Sequence, residues 1–302
     1  MALTAEDKME LEEVLKRTGA HRETGAATRV IPEWYQANME KVDRKEIVLP
    51  VPKAGAPVRC VITAAKDKAD DCPVHINMHG GGFIFRQDGD DDLYCAHVAA
   101  RIRGIVIDID YASSRDYPYP MAFNQSYEVV RWVFGQCSAW GADPEKVSIG
   151  GHSAGGCLAA AISLKAAETK DFRLCLQILD YAATDNYMAY EEGGAERSRA
   201  FSDYYADGER ERLKEPYASP AYATVDMMGG QPRTLIVNAA RCPFCKINEE
   251  YGKRLVEAGT EVIMKRFLNS RHGFVIRMLD EWQEAQELII REIMEAGTAS
   301  CN

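Results

Sequence analysis

The chain has 302 residues, of which 46% are hydrophobic and 27% charged, and its formal net charge at pH 7 is −10. The length allows a large buried core, and the acidic balance disfavours nucleic acid or an anionic membrane surface as the main partner. No apolar stretch approaches the roughly 18 residues of a membrane span, and the charged N-terminal segment lacks the apolar run of a signal peptide. We therefore predict a cytoplasmic protein without membrane contact.

The predicted elements alternate along the chain. Residues 1–45 have the charged, amphipathic pattern of helices. Strands are predicted at 46–51, 58–64, 73–79, 104–111, 146–152, 174–180, 234–240 and 261–267, and helices at 93–103, 122–137, 154–167, 247–258 and 282–296. A turn rich in proline and glycine joins the first two strands, which predicts a hairpin. The later alternation of β-branched strands with helices predicts an α/β fold with a mostly parallel, doubly wound sheet.

One segment, residues 183–218, interrupts this alternation. It is rich in Tyr, Glu and Arg and contains no buried-strand pattern. We interpret it as an inserted cap segment that joins an N-terminal helical cap segment, residues 1–45; the plainer alternative is a long surface loop. The core then comprises residues 46–182 and 219–302. The strand at 261–267 has the character of an exposed edge, which would allow a homodimer.

A nucleophile motif lies between the strand 146–152 and the helix 154–167. The segment Gly-His-Ser-Ala-Gly-Gly spans residues 151–156, and it places G-x-S-x-G in the strand–turn–helix context that the motif requires. The glycines fit because a sharp turn leaves no room for side chains beside a strained serine. The following helix directs its positive N-terminal end at the site, where negative charge develops. We therefore predict that Ser153 is a nucleophile, against the alternative of an ordinary serine in a glycine-rich turn.

Three consecutive glycines follow the strand 73–79, in the segment His-Gly-Gly-Gly-Phe at residues 79–83. Their backbone N–H groups have no side chains to shield them, which suits an oxyanion hole. We predict that the N–H groups of Gly81, Gly82 and Ala154 bind the oxyanion and that His79 fixes the loop by hydrogen bonding. The alternative, a phosphate-binding loop, would need a G-K-S/T or G-x-G-x-x-G pattern, and the sequence has neither.

These two motifs together resemble the hormone-sensitive-lipase family of α/β-hydrolases. Asp110-Tyr111 and the aromatic and proline residues at 117–120 resemble the family's DYRLAPE…FP segment, although RLAPE is replaced by ASSRD. Residues 140–147 resemble the segment that leads into the nucleophile turn, and the likeness covers about 45–295. It implies an eight-stranded, mostly parallel sheet with a helical cap, and hydrolysis of small esters with short acyl groups. The residue before the nucleophile is often acidic in the family, but here it is His152.

The general base is predicted to follow the last strand, as it does in α/β-hydrolases. His272 lies in a polar loop after residues 261–267, and its HGF triplet also resembles the family's motif. A serine hydroxyl needs such a base to attack at neutral pH. The alternatives are a surface role for His272, or a base at His152 or His79, each of which would have to bend back along its own backbone.

The third member of the triad is where the sequence departs from the family. The family's aspartate precedes its histidine by about 30 residues, and Cys242 occupies that position. Three interpretations follow: another carboxylate takes the role, with Asp180 first and Asp185 or Glu249 as further candidates; Cys242 acts as a thiolate; or His272 works with only water or backbone support. A neutral thiol would orient an imidazole poorly.

The residues therefore predict a serine carboxylesterase that needs no cofactor or metal and takes a small-molecule ester. The first rival is a binding protein on a hydrolase scaffold that has lost its acid. The second is a thiol-redox protein that uses the CPFC segment at 242–245, or an esterase with a redox switch there. A zinc site is disfavoured because the sequence contains only one C-x-x-C and no second ligand pair.

Overall fold

The computed structural model describes residues 2–19, 30–51, 55–87, 89–191 and 194–297. Helix α1 (Ala5–Arg17) begins with a capping box, in which the Thr4 hydroxyl accepts a hydrogen bond from the Asp7 N–H and the Asp7 carboxylate accepts one from the Thr4 N–H. The short helix α2 (Glu33–Gln36) continues into a 3₁₀ helix at Ala37–Lys41. The chain then enters the sheet.

The eight-stranded sheet follows the predicted strands closely. Its members are β1 (Val42–Leu49), β2 (Val58–Ala65), β3 (Cys72–Met78), β4 (Ile105–Asp110), β5 (Ala142–His152), β6 (Leu176–Asp180), β7 (Arg233–Ala239) and β8 (Val262–Phe267). The spatial order is β1-β2-β4-β3-β5-β6-β7-β8. The pairs β1–β2 and β2–β4 are antiparallel and all the others parallel, which confirms the predicted mostly parallel sheet.

Helices cover both faces of this sheet because neighbouring strand residues point to opposite sides. In β4, Ile107 joins the core beneath α4 (Met121–Trp140) and α5 (Ala154–Thr169), whereas Val106 joins the core beneath α3 (Asp92–Ile102) and α9 (Trp282–Ala296). The remaining helices are α6 (Glu196–Ala206), α7 (Cys245–Glu257) and α8 (Phe274–Arg277), with 3₁₀ helices at Tyr187–Tyr190, Arg210–Lys214, Pro220–Tyr222 and Asp226–Met228.

A third, small core joins α1 to α6. Leu15 of α1 packs with Ala200 and Tyr204 of α6 and with Ile84, which follows the glycine loop. The Tyr204 hydroxyl donates a hydrogen bond of 2.8 Å to the Glu12 carboxylate. The described residues of 183–218 contain helices and no strand. The N-terminal helix and the inserted segment therefore pack together above the glycine loop.

The rest of the predicted N-terminal cap segment lies elsewhere. The Tyr35 hydroxyl donates a hydrogen bond of 2.9 Å to Gln286 of α9, and Asn38 contacts His97 of α3 at 3.0 Å. Strand β1 already begins at Val42 rather than at residue 46. Residues 33–45 therefore pack with the sheet and not with α1, because the apolar side of this short helical segment matches α3 and α9. Residues 20–29 of the predicted segment lie outside the described residues.

The ends of four parallel strands bring the predicted functional residues to one edge of the sheet. The glycine loop follows β3, the nucleophile turn follows β5, and the segments with Cys242 and His272 follow β7 and β8. In doubly wound sheets, the carboxyl ends of the strands are where ligands bind. Within the described ranges, no helix is both long enough and apolar enough to cross a membrane.

Candidate active site

The nucleophile turn is strained and its glycines are required by space. Ser153 has φ +55°, ψ −112°, a backbone conformation that costs a side-chain-bearing residue about 1–3 kcal/mol. Its N–H donates to the Asp180 carbonyl at 3.0 Å, which ties the turn to the end of β6. A Cβ at Gly155 would lie 2.0 Å from the Met78 carbonyl oxygen, and one at Gly151 would lie 2.4 Å from the Gly155 carbonyl carbon. Only glycine fits at both positions.

The structure brings Ser153, His272 and Cys242 into one hydrogen-bonded row. The Ser153 Oγ lies 2.9 Å from His272 Nε2, and His272 Nδ1 lies 3.1 Å from Cys242 Sγ. Two backbone hydrogen bonds hold the loops in register: the Arg241 N–H donates to the Ser270 carbonyl, and the Cys242 N–H donates to the Ala239 carbonyl. The row has the connectivity of a Ser-His-acid triad with a thiol in the acid's place.

His272 is held as a neutral imidazole. Tyr181 packs edge-on against it with the ring centroids 4.9 Å apart, and Phe244 lies at 5.7 Å. Burial, together with the positive charges of Arg277 and Arg197, lowers the pKa of His272 from 6.5 to about 4. A base with this pKa is unprotonated at neutral pH, although it is weaker than an ordinary histidine.

The thiol of Cys242 does not supply the missing charge. Burial raises its pKa from 9.0 to about 12, so the thiol is neutral at pH 7 and the thiolate interpretation does not fit. A carboxylate would force the proton onto His272 Nδ1, which leaves Nε2 free to accept the proton of Ser153. A neutral thiol can either accept from Nδ1 or donate to it, so it selects the productive tautomer only weakly.

The candidate carboxylates all have other partners. Asp180, the first alternative acid, lies in the core beneath the turn and accepts a hydrogen bond of 2.7 Å from His152 Nδ1 instead of facing His272. Asp185 accepts from the N–H groups of residues 187 and 188, and Glu249 forms an ion pair with Arg266. The prediction that Asp180 orients His272 is therefore wrong. Asp180 is the neighbour of His152 in the sheet register, so its side chain points to the opposite face of the turn.

A buried charge cluster under the nucleophile turn escaped the sequence analysis. His152 Nδ1 binds Asp180, and His152 Nε2 lies 3.6 Å from Asp91 Oδ1. Burial alone would lower the pKa of His152, but the hydrogen bond and charge of Asp180, with Asp91 and Asp108, raise it above 6.5. Burial raises the pKa of Asp180 to about 6. The sequence signal was a histidine at the variable position of G-x-S-x-G with an aspartate ending the next strand.

The glycine loop lies directly beside Ser153. A Cβ at Gly80 would be 3.6 Å from Ser153 Cβ, and Gly81 and Gly82 have φ +134° and +58°, which favour glycine. Ala154 is the first residue of α5, where backbone N–H groups have no helical acceptor. Among the described residues, the N–H groups of Gly81, Gly82 and Ala154 have no hydrogen-bond acceptor. Three donors are thus available next to the nucleophile.

The segment after β4 supports this loop although it departs from the family's sequence. The Tyr111 hydroxyl donates a hydrogen bond of 2.7 Å to the His79 carbonyl, and the Tyr111 and His79 rings stack with their centroids 4.1 Å apart. The Ser113 hydroxyl donates a hydrogen bond of 2.7 Å to the Ile84 carbonyl, and the Ser114 N–H donates one of 2.8 Å to the Phe83 carbonyl. The serines of ASSRD therefore hold the loop in place.

The CPFC segment lacks the features of a reactive dithiol. Cys242 and Cys245 are buried free thiols that form no disulfide, and burial raises the pKa of each, whereas reactive redox thiols have lowered values. The Cys245 thiol donates to Glu249 at 3.5 Å. Among the described residues, no group of three His, Cys, Asp or Glu side chains is arranged to hold a metal ion.

The sheet order together with the nucleophile turn, the histidine loop and the glycine loop defines an α/β-hydrolase. A model of the α/β-hydrolase fold family matches residues 75–276, more than half of the chain, and the chain belongs to this family. The resemblance to hormone-sensitive-lipase-like hydrolases is thereby confirmed.

Comparison with individual proteins gives the same family. Esterase LipI of Mycobacterium tuberculosis is 29% identical over 214 residues, which cover 68% of this chain and 66% of the relative. Carboxylesterase NlhH of the same organism is 33% identical over 116 residues, 38% of this chain and 36% of the relative. The matches thus span from about a third to just under two thirds of these relatives' lengths. The crystal structure of carboxyl esterase 2 from the mycorrhizal fungus Tuber melanosporum superposes with a TM-score of 0.76 at 26% identity, over 85% of this chain and 88% of that one.

Proposed function

We propose that the protein is a serine carboxylesterase that hydrolyses small esters with short acyl groups. The observation that carries the proposal is the 2.9 Å contact between Ser153 Oγ and His272 Nε2, beside the unpaired N–H groups of the glycine loop and of Ala154. The printed names of the relatives, which are esterases and carboxylesterases, support the reaction class.

The proposed reaction has two halves. Ser153 attacks the ester carbonyl while His272 Nε2 takes the hydroxyl proton, and the N–H groups of Gly81, Gly82 and Ala154 bind the resulting oxyanion. The tetrahedral intermediate collapses, the alcohol leaves with the proton from His272, and an acyl-enzyme remains on Ser153. Water, deprotonated by His272, then attacks the acyl-enzyme and releases the carboxylic acid. Because burial lowers the pKa of His272, its imidazole is neutral and can accept the proton, but it is a weaker base than an ordinary histidine.

Helix α1 and residues 183–218 act, in this proposal, as the cap that covers the ester. Phe201 of α6 stands against Gly82, because a Cβ at that glycine would be 2.5 Å from the Phe201 ring. The cap therefore narrows the space at the oxyanion loop, which supports short acyl groups. A cytoplasmic location is supported by the cysteines, since all eight in the described residues are free thiols.

A fluorophosphonate probe tests the proposal directly. We expect it to label folded wild-type protein at Ser153, and we expect no label on Ser153→Ala. Turnover of 4-nitrophenyl acetate should likewise disappear in Ser153→Ala and fall strongly in His272→Ala. Folded wild-type protein that is neither labelled nor active would overturn the esterase function.

The second candidate is a small-ligand-binding protein on the same scaffold, and the neutral thiol at residue 242 favours it. Loss of the triad acid costs several orders of magnitude in turnover but leaves catalysis above background. The same labelling experiment separates the two candidates, because a binding protein without an activated serine would leave the probe unreacted.

A further inference from the structure

A cationic side chain lies directly beside the base. A Cβ at Gly273, the residue after His272, would be 3.4 Å from both Cδ and Nε of Arg277. The Arg277 side chain therefore extends over the peptide that follows His272, and the Arg277 N–H donates to the Gly273 carbonyl at 3.0 Å. Burial is the main cause of the lowered pKa of His272, and the charge of Arg277 acts in the same direction. One wall of the site is thus positive.

A second arginine approaches from the cap. Arg197 lies in the first turn of α6, four residues before Phe201, and residues at this spacing share one face of a helix. Phe201 contacts the oxyanion loop at Gly82, so Arg197 lies on the face of α6 that is turned to the site. Its charge also lowers the pKa of His272. Arg197 and Arg277 thus face His272 from two different elements.

These two arginines lack the carboxylate partners that several other arginines nearby have. Arg17 pairs with Glu196, Arg271 with Asp280 and Arg266 with Glu249. In the described part of the chain, neither Arg197 nor Arg277 has a side-chain hydrogen bond or ion pair. The residue that would bring a negative charge to His272 in this family is the neutral Cys242. Two cations without carboxylate partners therefore lie on the His272 side of the site, in a chain whose net charge is −10.

Resting on the proposed esterase function, we propose that the preferred substrate is an ester with a second, anionic group, a carboxylate or a phosphate, which Arg197 and Arg277 bind. A guanidinium binds both oxyanions in a two-pronged geometry that a neutral alkyl chain cannot match. The positive site also raises the rate at which anionic molecules reach it. An anion bound there fills the charge gap that Cys242 leaves.

Three esters with one leaving group test the proposal. The mono-4-nitrophenyl ester of succinic acid carries a carboxylate, 4-nitrophenyl 4-methylpentanoate has a neutral branched end of similar size, and 4-nitrophenyl 3-phosphonopropanoate carries a phosphonate. We expect wild-type kcat/KM to favour an anionic ester over the neutral one by about tenfold, as for a partly exposed charge-assisted contact. The ratio between the two anionic esters shows whether carboxylate or phosphate is the better ligand. Rates measured with Ser153→Ala are subtracted from the wild-type rates to correct for self-hydrolysis of the succinate ester.

The variants Arg197→Gln and Arg277→Gln keep hydrogen-bonding groups but remove the charge. We expect each to lower the anionic-to-neutral ratio of kcat/KM, mainly through KM, and the double variant to bring it near 1. Arg173 is exposed and precedes β6, at the amino ends of the strands and away from the site, so Arg173→Gln should leave the ratio unchanged. Raised salt should lower the wild-type ratio.

The outcomes separate this inference from the esterase function. A wild type that hydrolyses all three esters without an anionic preference, or a preference that survives in the double variant, overturns the inference and leaves the esterase intact. Absence of turnover for every ester, together with an unlabelled Ser153, overturns both.

Discussion

At the scale of single residues, Cys242 is the side chain that contacts Nδ1 of His272. The row from Ser153 to His272 and on to residue 242 has the connectivity of a Ser-His-acid triad, with contacts of 2.9 and 3.1 Å. Only the charge is absent, because burial keeps the thiol protonated. The three side chains therefore have the positions of a triad, but no negative charge stabilises the imidazolium of His272.

Restoring the acid is expected to raise activity. In Cys242→Asp, a carboxylate would fix the proton on His272 Nδ1 and stabilise the imidazolium, so we expect kcat/KM for 4-nitrophenyl acetate to rise by about 10²-fold or more, in view of the ~10⁴-fold effect of the acid in serine proteases. Cys242→Ser, neutral and of similar size, should stay near the wild-type value. Equal activity in the two variants, with both shown to be folded by circular dichroism, would contradict this role for residue 242.

The pH profile is expected to report the lowered pKa of His272. Burial and the two nearby arginines disfavour the charged imidazolium, so the base stays neutral, and kcat/KM stays level, as pH falls towards about 4. Activity should be lost only as pH falls through that value. In Cys242→Asp the acidic limb should move to higher pH, because a carboxylate favours the imidazolium. A wild-type limb near the ordinary value of 6.5 would show that His272 is not desolvated as described.

Asp180 is expected to matter for stability rather than for turnover. Its hydrogen bond to the buried His152 offsets the cost of burying that imidazole's charge. Asp180→Asn should therefore lower the free energy of unfolding in urea by about 3 kcal/mol, whereas Asp226→Asn, at an exposed position, should change it by less than about 0.5 kcal/mol. A kcat that falls by several orders of magnitude with unchanged stability would return the acid role to Asp180.

At the scale of elements, the contact between the cap helix and the glycine loop is expected to control activity. In Gly82→Ala, the new methyl group would collide with the Phe201 ring at 2.5 Å, and the residue would keep an unfavourable φ of +58°. We expect kcat to fall at least about 10²-fold, as it does when an oxyanion donor is misplaced. The double variant Gly82→Ala/Phe201→Ala removes the collision but not the backbone strain, so it should recover activity only in part. No recovery would show that φ alone matters.

The elements show what the sequence could and could not predict. Strand positions followed from runs of β-branched residues, and the helix at 282–296 was predicted at its observed bounds because its apolar residues repeat at helical spacing. Strand β5 begins at Ala142, earlier than predicted, because the polar residues at its start carry no strand pattern. The short helical segment at 33–41 was assigned to the cap, since amphipathicity shows that a face is buried but not against which partner.

The candidate site, like the fold, could be predicted from the sequence only in part. The resemblance to the family, whose aspartate precedes its histidine by about 30 residues, predicted that Cys242 lies opposite His272, and the two contact each other. Which histidine Asp180 would bind could not be predicted, since the answer depends on the register of β5 and β6, where Asp180 lies beside His152. Arg197 and Arg277 carry no motif, and their position became visible only when the cap and the base were brought together.

At the scale of the whole molecule, charge is distributed unevenly. The chain is acidic overall, and most of its arginines near the site are neutralised by carboxylates of neighbouring elements. Arg197 and Arg277 near the site have no such partner among the described residues, and Cys242 beside His272 is a neutral thiol. In the proposed function, an anionic substrate would supply the negative charge that the neutral thiol of Cys242 does not.

The sheet edge at β8 is expected to form a homodimer. Strand β8 pairs only with β7 among the described strands, and Met264 and the adjoining Leu268 are exposed there. Charged residues usually protect such an edge, but Lys265 and Arg266 are already neutralised by Glu284 and Glu249.

Light scattering coupled to gel filtration should therefore give about twice the chain mass of 33.6 kDa. The double variant Met264→Lys/Leu268→Lys places two uncompensated charges at this edge and should yield the monomer. Val48→Lys, at an equally exposed position on the opposite edge strand β1, should remain dimeric. A monomeric wild type would refute the dimer, and a dimer lost only in Val48→Lys would assign it to the β1 edge instead.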